Sequence, residues 1–250
     1  MKTISLIYHS VDDGGPVERF RISKPLFERH LEAIAAAGAI PTLVTEPPQG
    51  TTRLLLTFDD GDDTNATAAA PALARYGWPA HFFIITNRIG GRDAMDADAI
   101  RGLHAEGHLI GSHSHSHRVM TRLSPAELDE EWRRSKAVLE EILGEPVTSM
   151  SVPRGMYSAE VGRAAAAAGY RELFVSEPWL RPRPLDGSHV YGRFAVIADT
   201  TPAHVAALSR GSRGAIAREA ALYHVRRHVK ALLGPIYQRI RAQLLARRHR

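Results

Sequence analysis

The sequence predicts an α/β fold, with parallel strands flanked by helices in an open sheet or a barrel. Three observations predict it. Short β-branched or aromatic runs alternate with longer runs of helical period along most of the 250 residues. The strand-like runs are apolar throughout, as suits strands buried on both faces. Glycines close the helical runs at Gly38, Gly77, Gly107, Gly144 and Gly169, where a left-handed residue ends a helix without strain.

In chain order, a strand over 4–8 leads to a helix over 26–38, and a strand over 54–58 to a helix over 70–77. Strand 80–86 precedes helix 96–107, and strand 108–112 precedes helix 124–144. Strand 149–152 precedes helix 158–169; strands 172–176 and 190–197 and a helix over 201–208 follow. Ser124 with Glu127 predicts a capping box, and Pro125 suits the first helical position. Segments 45–53, 181–188 and 209–214 read as loops, and the last divides a body, 1–210, from an extension, 211–250. There is no internal repeat.

Composition narrows the chemistry. Without cysteine, disulfides, thiolate catalysis and Cys-ligated zinc are excluded, so a bound metal needs His, Asp or Glu. The apolar run in MKTISLIYHS is too short for a signal-peptide core, and no stretch nears the ~20 apolar residues of a membrane span. A cytoplasmic location is expected. The net charge of +5 lies in the tail: of 32 Lys and Arg and 27 Asp and Glu, residues 201–250 hold 11 and one, so the body is net acidic. From Ile216 the tail reads as a helix in which Leu222, Val225 and Val229 lie among Arg226, Arg227 and Lys230, with a break at Gly234–Pro235. One reading packs this helix on the body with its basic face in solvent. The other makes 215–250 an interfacial helix at an anionic membrane, peripheral to its inner face. Nucleic acid is not expected as a partner, because aromatics are scarce and no nucleic-acid motif is present.

Two stretches carry chemistry. LLLTF runs into Asp59, Asp60 and Gly61, and ligands collect at the carboxyl ends of strands in parallel α/β folds. Successive side chains point opposite ways, so the two aspartates are free to hold separate roles. Taken alone, the same text also suits a turn with helix-capping aspartates. GSHSHSH, 111–117, sets three histidines two apart after an apolar run. A straight strand would put all three on one face. A curled turn, which Gly111 and Ser112 favour, brings His113 and His117 together and turns His115 away.

TFDDG, followed some fifty residues later by H-S-x-S-H, resembles the first two motifs of the polysaccharide deacetylases, carbohydrate esterase family 4. GWPAHFFIITNRIG, IRGLHAEGHLIGSHSHSH and the early YHSV resemble the surrounding segments, so the likeness runs over roughly residues 4–180. It implies a distorted (β/α)7-type barrel with a C-terminal helical extension. It implies Asp59 as general base and Asp60, His113 and His117 as ligands of one divalent metal, usually zinc, with His115 on a variable position. In the third motif, SVPRGMY, Pro153 and Gly155 match, but Ser151 stands where the family has the arginine that pairs with the catalytic aspartate. Arg154, where an aromatic is usual, is the candidate replacement, and Tyr157 the candidate aromatic wall. FVSEPW resembles the fourth motif loosely, with Trp179 a candidate for stacking on a sugar and Glu177 for orienting a charge. The fifth motif's Leu-x-His is absent from VYGRFAVIADTTPAHV, which offers Arg193 and His204. His9 is the preferred candidate for the missing acid, with His189 second.

The function this implies is metal-dependent removal of acetyl groups from an N-acetylated glycan or glycan precursor. The alternatives are hydrolysis of another C–N amide or an O-acetyl ester, and a glycan-binding homologue without turnover.

Overall fold

A computed structural model of the chain describes residues 1–12, 18–47, 50–225 and 227. The main sheet is built from β1 (Lys2–Tyr8), β4 (Thr52–Phe58), β5 (His81–Ile84), β6 (Leu109–Ser112), β7 (Ser149–Ser151), β8 (Glu172–Phe174), β9 (Arg183–Leu185), β10 (Ser188–Tyr191) and β11 (Phe194–Ala195). A small pair, β2 (Ser10–Val11) and β3 (Arg21–Ile22), stands beside it. The order is β11-β1-β4-β5-β6-β7-β8-β10-β9, parallel except for β9 against β10. Strands β10 and β11 are halves of one segment joined by Gly192 and Arg193. The first half pairs with β8 and the second with β1, so the segment changes partners midway and closes the sheet on itself. The result is the expected (β/α) barrel.

Helices α1 (Lys24–Ala36), α2 (Ala70–Ala74), α3 (Ala97–Ala105), α4 (Pro125–Leu143), α5 (Ala159–Ala167) and α6 (Pro202–Ser209) cover the outside. The predicted capping box of α4 is present, and Gly144 ends the helix at φ +73°. Where one helix was expected over 70–77, a wide π-type turn over Asn65–Ala69 leads into the short α2. The expected loop 181–188 contains β9. Asp186 and Gly187, both at positive φ, form the tight turn into β10, a pairing that favours a two-residue hairpin.

Period-two alternation divides the core. Ile4, Leu6, Tyr8, Leu54, Leu56, Phe58, Phe82 and Ile84 face the helices. Leu55, Phe83, Phe174 and Tyr191 form a separate plug inside the barrel. Phe174 lies 5.1 Å from both Phe83 and Tyr191, ring centre to ring centre. Gly111 faces this plug: a Cβ there would lie 2.6 Å from the Phe83 ring and 2.8 Å from the Ser149 carbonyl. Gly111→Ala is therefore expected to lower stability by about 1–3 kcal/mol by overpacking, read as a drop in the denaturant midpoint.

The described part of the tail is helical over 213–225. Ala215 and Ile216 pack on the core, and Glu219 pairs with His204 of α6 at 2.9 Å. The extension therefore starts as part of the body's packing. Arg226, Lys230, the Gly234–Pro235 break and the rest of the proposed interfacial segment lie outside the described residues. Among those described, no helix is long and apolar enough to cross a membrane.

Candidate active site

The barrel's alternation delivers the site. Asp59 follows Thr57 on the lumen side of β4, and its amide donates to the Tyr8 carbonyl at 3.0 Å, extending the ladder by one residue. Asp60 (φ +76°) and Gly61 (φ +70°) then turn the chain sharply. Asp59 is thereby left buried, 3% exposed, while Asp60 swings over the barrel mouth. A Cβ on Gly61 would lie 3.2 Å from the Ile84 side chain, so the turn needs glycine on both counts.

His113 extends β6, its amide donating to the Ile84 carbonyl at 2.8 Å. Its Nδ1 donates to the Ser151 carbonyl at 3.0 Å, which fixes the tautomer and leaves Nε2 a free donor to a metal. The chain then curls, as the spacing suggested. His113 and His117 lie 5.0 Å apart, ring centre to ring centre, and each Nε2 lies 3.4 Å from Asp60 Oδ1. The ligand atoms of Asp60, His113 and His117 all fall within 4.8 Å of one another. A tetrahedral ion about 2.1 Å from each donor spaces those donors about 3.4 Å apart, so this set fits one divalent ion. Burial and the neighbouring His113 push His117 down to about 4, so its imidazole is neutral, as ligation requires, at neutral pH. His115 turns away: its Nδ1 pairs with Thr86 Oγ1 at 2.9 Å.

Asp59 stays clear of this trio, its Oδ2 3.9 Å from His113 Nε2. Its partner is Arg193, wholly buried, with Nη1 on Oδ1 at 2.8 Å and Nη2 on Oδ2 at 2.9 Å. Arg193 also donates to Thr57 Oγ1, Ser151 Oγ and the Val175 carbonyl. Its guanidinium stands over Phe83 and Phe174, at 5.6 and 5.9 Å from the ring centres. Burial alone would raise the Asp59 pKa; the charge of Arg193 and its hydrogen bonds to the carboxylate override it and hold the carboxyl well below the usual range.

This corrects the expectation for Arg154. Its Nε donates to the His117 carbonyl at 3.1 Å from an exposed position at the rim, and it does not reach Asp59. Ser151, where the arginine was expected, instead offers its hydroxyl to Asp59 at 3.2 Å. The arginine has moved across the barrel to the β10–β11 joint. The signal for it was a lone charge in the apolar run VYGRFAVI, two residues past an inward-facing tyrosine.

His9 follows β1 at the same mouth. It stacks on Phe20 at 4.5 Å, and its Nδ1 is buried without a hydrogen-bond partner. Burial lowers its pKa against the pull of Asp59 and Asp60, which lie within electrostatic reach. His189, the second candidate acid, is exposed opposite Glu172 at the start of β8, far down the barrel. The expected sugar-facing group is placed differently. Gly192 points out of the barrel, where a Cβ would lie 2.5 Å from the Glu177 carbonyl and 2.6 Å from the Trp179 amide. Glu177 and Trp179 thus pack behind the joint. Arg183 lies 3.7 Å over the Trp179 ring, and the Glu177 carboxylate faces Arg227 at 3.9 Å. Tyr157 leans on α5, its hydroxyl against Gly162. One face of Trp179, the residue expected to stack on a sugar, is thus covered by the Arg183 guanidinium.

Strain gathers here too. Of six described non-glycine residues at left-handed φ, four are Asp60, Ser114, His117 and Arg154. At about 1–3 kcal/mol each, such residues persist only where the surroundings dictate them.

A parallel barrel carrying two histidines, an aspartate and a second, arginine-bound aspartate at its strand ends defines a class of barrels built around one polar centre. Residues 29–173, more than half of the chain, match the family described as polysaccharide deacetylase. The chain belongs to that family. It is 29% identical to YxkH of Bacillus subtilis, provisionally named a polysaccharide deacetylase, over 69% of this chain and 64% of that one. It is 31% identical to a chitooligosaccharide deacetylase of a Bradyrhizobium strain, over 53% of this chain and 61% of the relative. The matches thus span less than two thirds of either relative's length. The fold is shared with the Streptococcus pyogenes deacetylase PplD, solved with acetate: TM-score 0.72, 20% identity, 81% of this chain and 95% of that one. It is also shared with IcaB of Ammonifex degensii: TM-score 0.71, 23% identity, 84% and 97% covered.

Proposed function

We propose that the protein removes acetyl groups from N-acetylated sugars, using a divalent ion, zinc by the donor set, held by Asp60, His113 and His117. The observation that carries this reading is the separation of duties between adjacent aspartates. One joins the histidines; the other is buried against an arginine, 3.9 Å from the same histidine.

An ion bound there supplies Lewis-acid polarisation of the acetyl carbonyl and of the attacking water. The chain's own groups do the rest. Asp59, ionised by Arg193, accepts the water's proton on an oxygen whose direction is fixed by Arg193 and Ser151. His113 is held in one tautomer by the Ser151 carbonyl, so the residue that orients the base also orients a ligand. His9 is the group assigned to deliver a proton to the departing amine: burial makes it hold a proton weakly, against the opposing pull of Asp59 and Asp60. The products are acetate and an amino sugar. A module that only bound glycans would have no need of the buried Asp59–Arg193 pair, which favours turnover.

The test is metal content and acetate release from N-acetylglucosamine oligomers, for wild type beside three variants. His113→Ala and His117→Ala are expected to lose bound metal and at least ~100-fold of the activity, while His115→Ala keeps both within a few-fold. Full metal content in His117→Ala, or loss in His115→Ala alone, would refute the assignment.

A further inference from the structure

The turn that carries His117 has no regular structure of its own, and two of its residues, Ser114 and His117, sit at φ +65° and +56°. Something outside the turn must dictate that shape. Its backbone groups are met one by one. The Ser114 amide donates to Ser112 Oγ and the His117 amide to Ser114 Oγ, both at 3.0 Å. The Ser114 and His115 carbonyls accept from the amides of Thr86 and Asn87. The two remaining amides, of His115 and Ser116, both point at one atom, Oε2 of Glu131, at 3.0 and 2.9 Å. Oε1 of the same carboxylate accepts from the Ser116 hydroxyl.

Glu131 lies on the inner face of α4 and is 6% exposed. A glutamate so buried in a helix face is unusual unless its charge is satisfied, and here three donors from one turn satisfy it. No lysine or arginine is paired with it among the described ion pairs. One turn further along α4, Ser135 bonds Ser112 Oγ at 2.7 Å, so the helix holds both the entry and the middle of the turn.

We propose that Glu131 is the positioning residue that sets the metal affinity of the site. It gathers the amides of His115 and Ser116 so that His117 arrives at the bend with Nε2 facing Asp60. The inference rests on reading Asp60, His113 and His117 as the metal site. It extends that reading to a residue that touches none of the three.

The test is zinc affinity of the full chain, measured by competition with a chromophoric chelator, alongside the melting midpoint of the metal-free protein. Glu131→Ala is expected to weaken zinc binding 10–100-fold, the usual effect of losing a residue that orients a ligand. Glu131→Gln, which keeps the shape and one acceptor oxygen, should recover part of that loss and serves if the alanine variant does not fold. Glu140→Ala is the control for simple destabilisation. It removes the helix's contacts with Lys136 and the Val147 amide at the far end, and should leave zinc affinity within twofold. Zinc binding by Glu131→Ala within twofold of wild type would overturn the proposal. So would an equal loss in Glu140→Ala. Wild type that fails to bind zinc would instead remove the metal reading itself.

Discussion

Arg193→Ala is expected to abolish acetate release and to lower stability by about 3–5 kcal/mol. The reason is the charge left behind. Asp59 is buried, both its oxygens are bonded to Arg193, and its other side-chain hydrogen bond among the described residues comes from the Ser151 hydroxyl. Without the guanidinium, burial dominates and drives the Asp59 pKa up, so the carboxyl becomes protonated and cannot act as base. The pH dependence has a definite sign. In wild type the depressed Asp59 pKa contributes stability that is present above its ordinary value of 3.8 and lost as pH falls through the depressed one. In the variant the raised pKa makes the same group a cost, felt above 3.8 and relieved below it. The gap in melting midpoint should thus be widest near pH 7 and shrink towards about pH 4. Arg193→Lys should recover little, because an ammonium cannot make the paired contact to two oxygens. Arg154→Ala, by contrast, removes one bond to the His117 carbonyl at an exposed position and should cost no more than about 1 kcal/mol. A gap independent of pH, or an active Arg193→Ala, would remove Arg193 from this role.

What the sequence disclosed and what it hid divide along a physical line. The candidate trio was readable in part: local spacing offered an aspartate pair at a strand end and histidines two and four apart after another strand, and the family resemblance picked Asp60, His113 and His117 from among them. Local spacing also gave the α4 capping box and the glycine-ended helices. Arg193 was hidden because its partner is set by closure. Residues 59 and 193 meet only because β10 and β11 form one segment that leaves β8 for β1, and strand order is not written in any local pattern. Glu131 was hidden for a similar reason. On sequence it is one of several acids on a charged helix, and only the docking of α4 against the histidine turn singles it out. Trp179 could not be placed from sequence, because an aromatic near a site suits a platform as well as a wedge, and only the fold sets its ring edge behind Gly192. The hairpin at Asp186–Gly187 was open to reading, but Pro184 and the arginines around it look like loop composition.

Asp59→Asn separates the two aspartates, and its expected result is a protein that keeps its metal and loses at least ~1,000-fold of its rate, within the range that a positioned base contributes. Metal should persist because Asp59 is not among the donors that converge: its nearest oxygen is 3.9 Å from His113 Nε2, against 3.4 Å for Asp60. Rate should fall because an amide oxygen cannot take the water's proton, whatever its position. The amide also presents one N–H pair to a guanidinium that has only donors, so one of the two parallel bonds is lost and some stability with it. Arg193 is left buried without its counter-charge, so the cost is of the same kind as for Arg193→Ala, moderated by the bonds it keeps to Thr57, Ser151 and the Val175 carbonyl. Asp60→Asn gives the opposite pattern: weaker metal binding, with the Asp59–Arg193 pair and the fold it secures intact. Equal metal loss in the two variants would mean that both carboxylates ligate, and the chain would then need a different base.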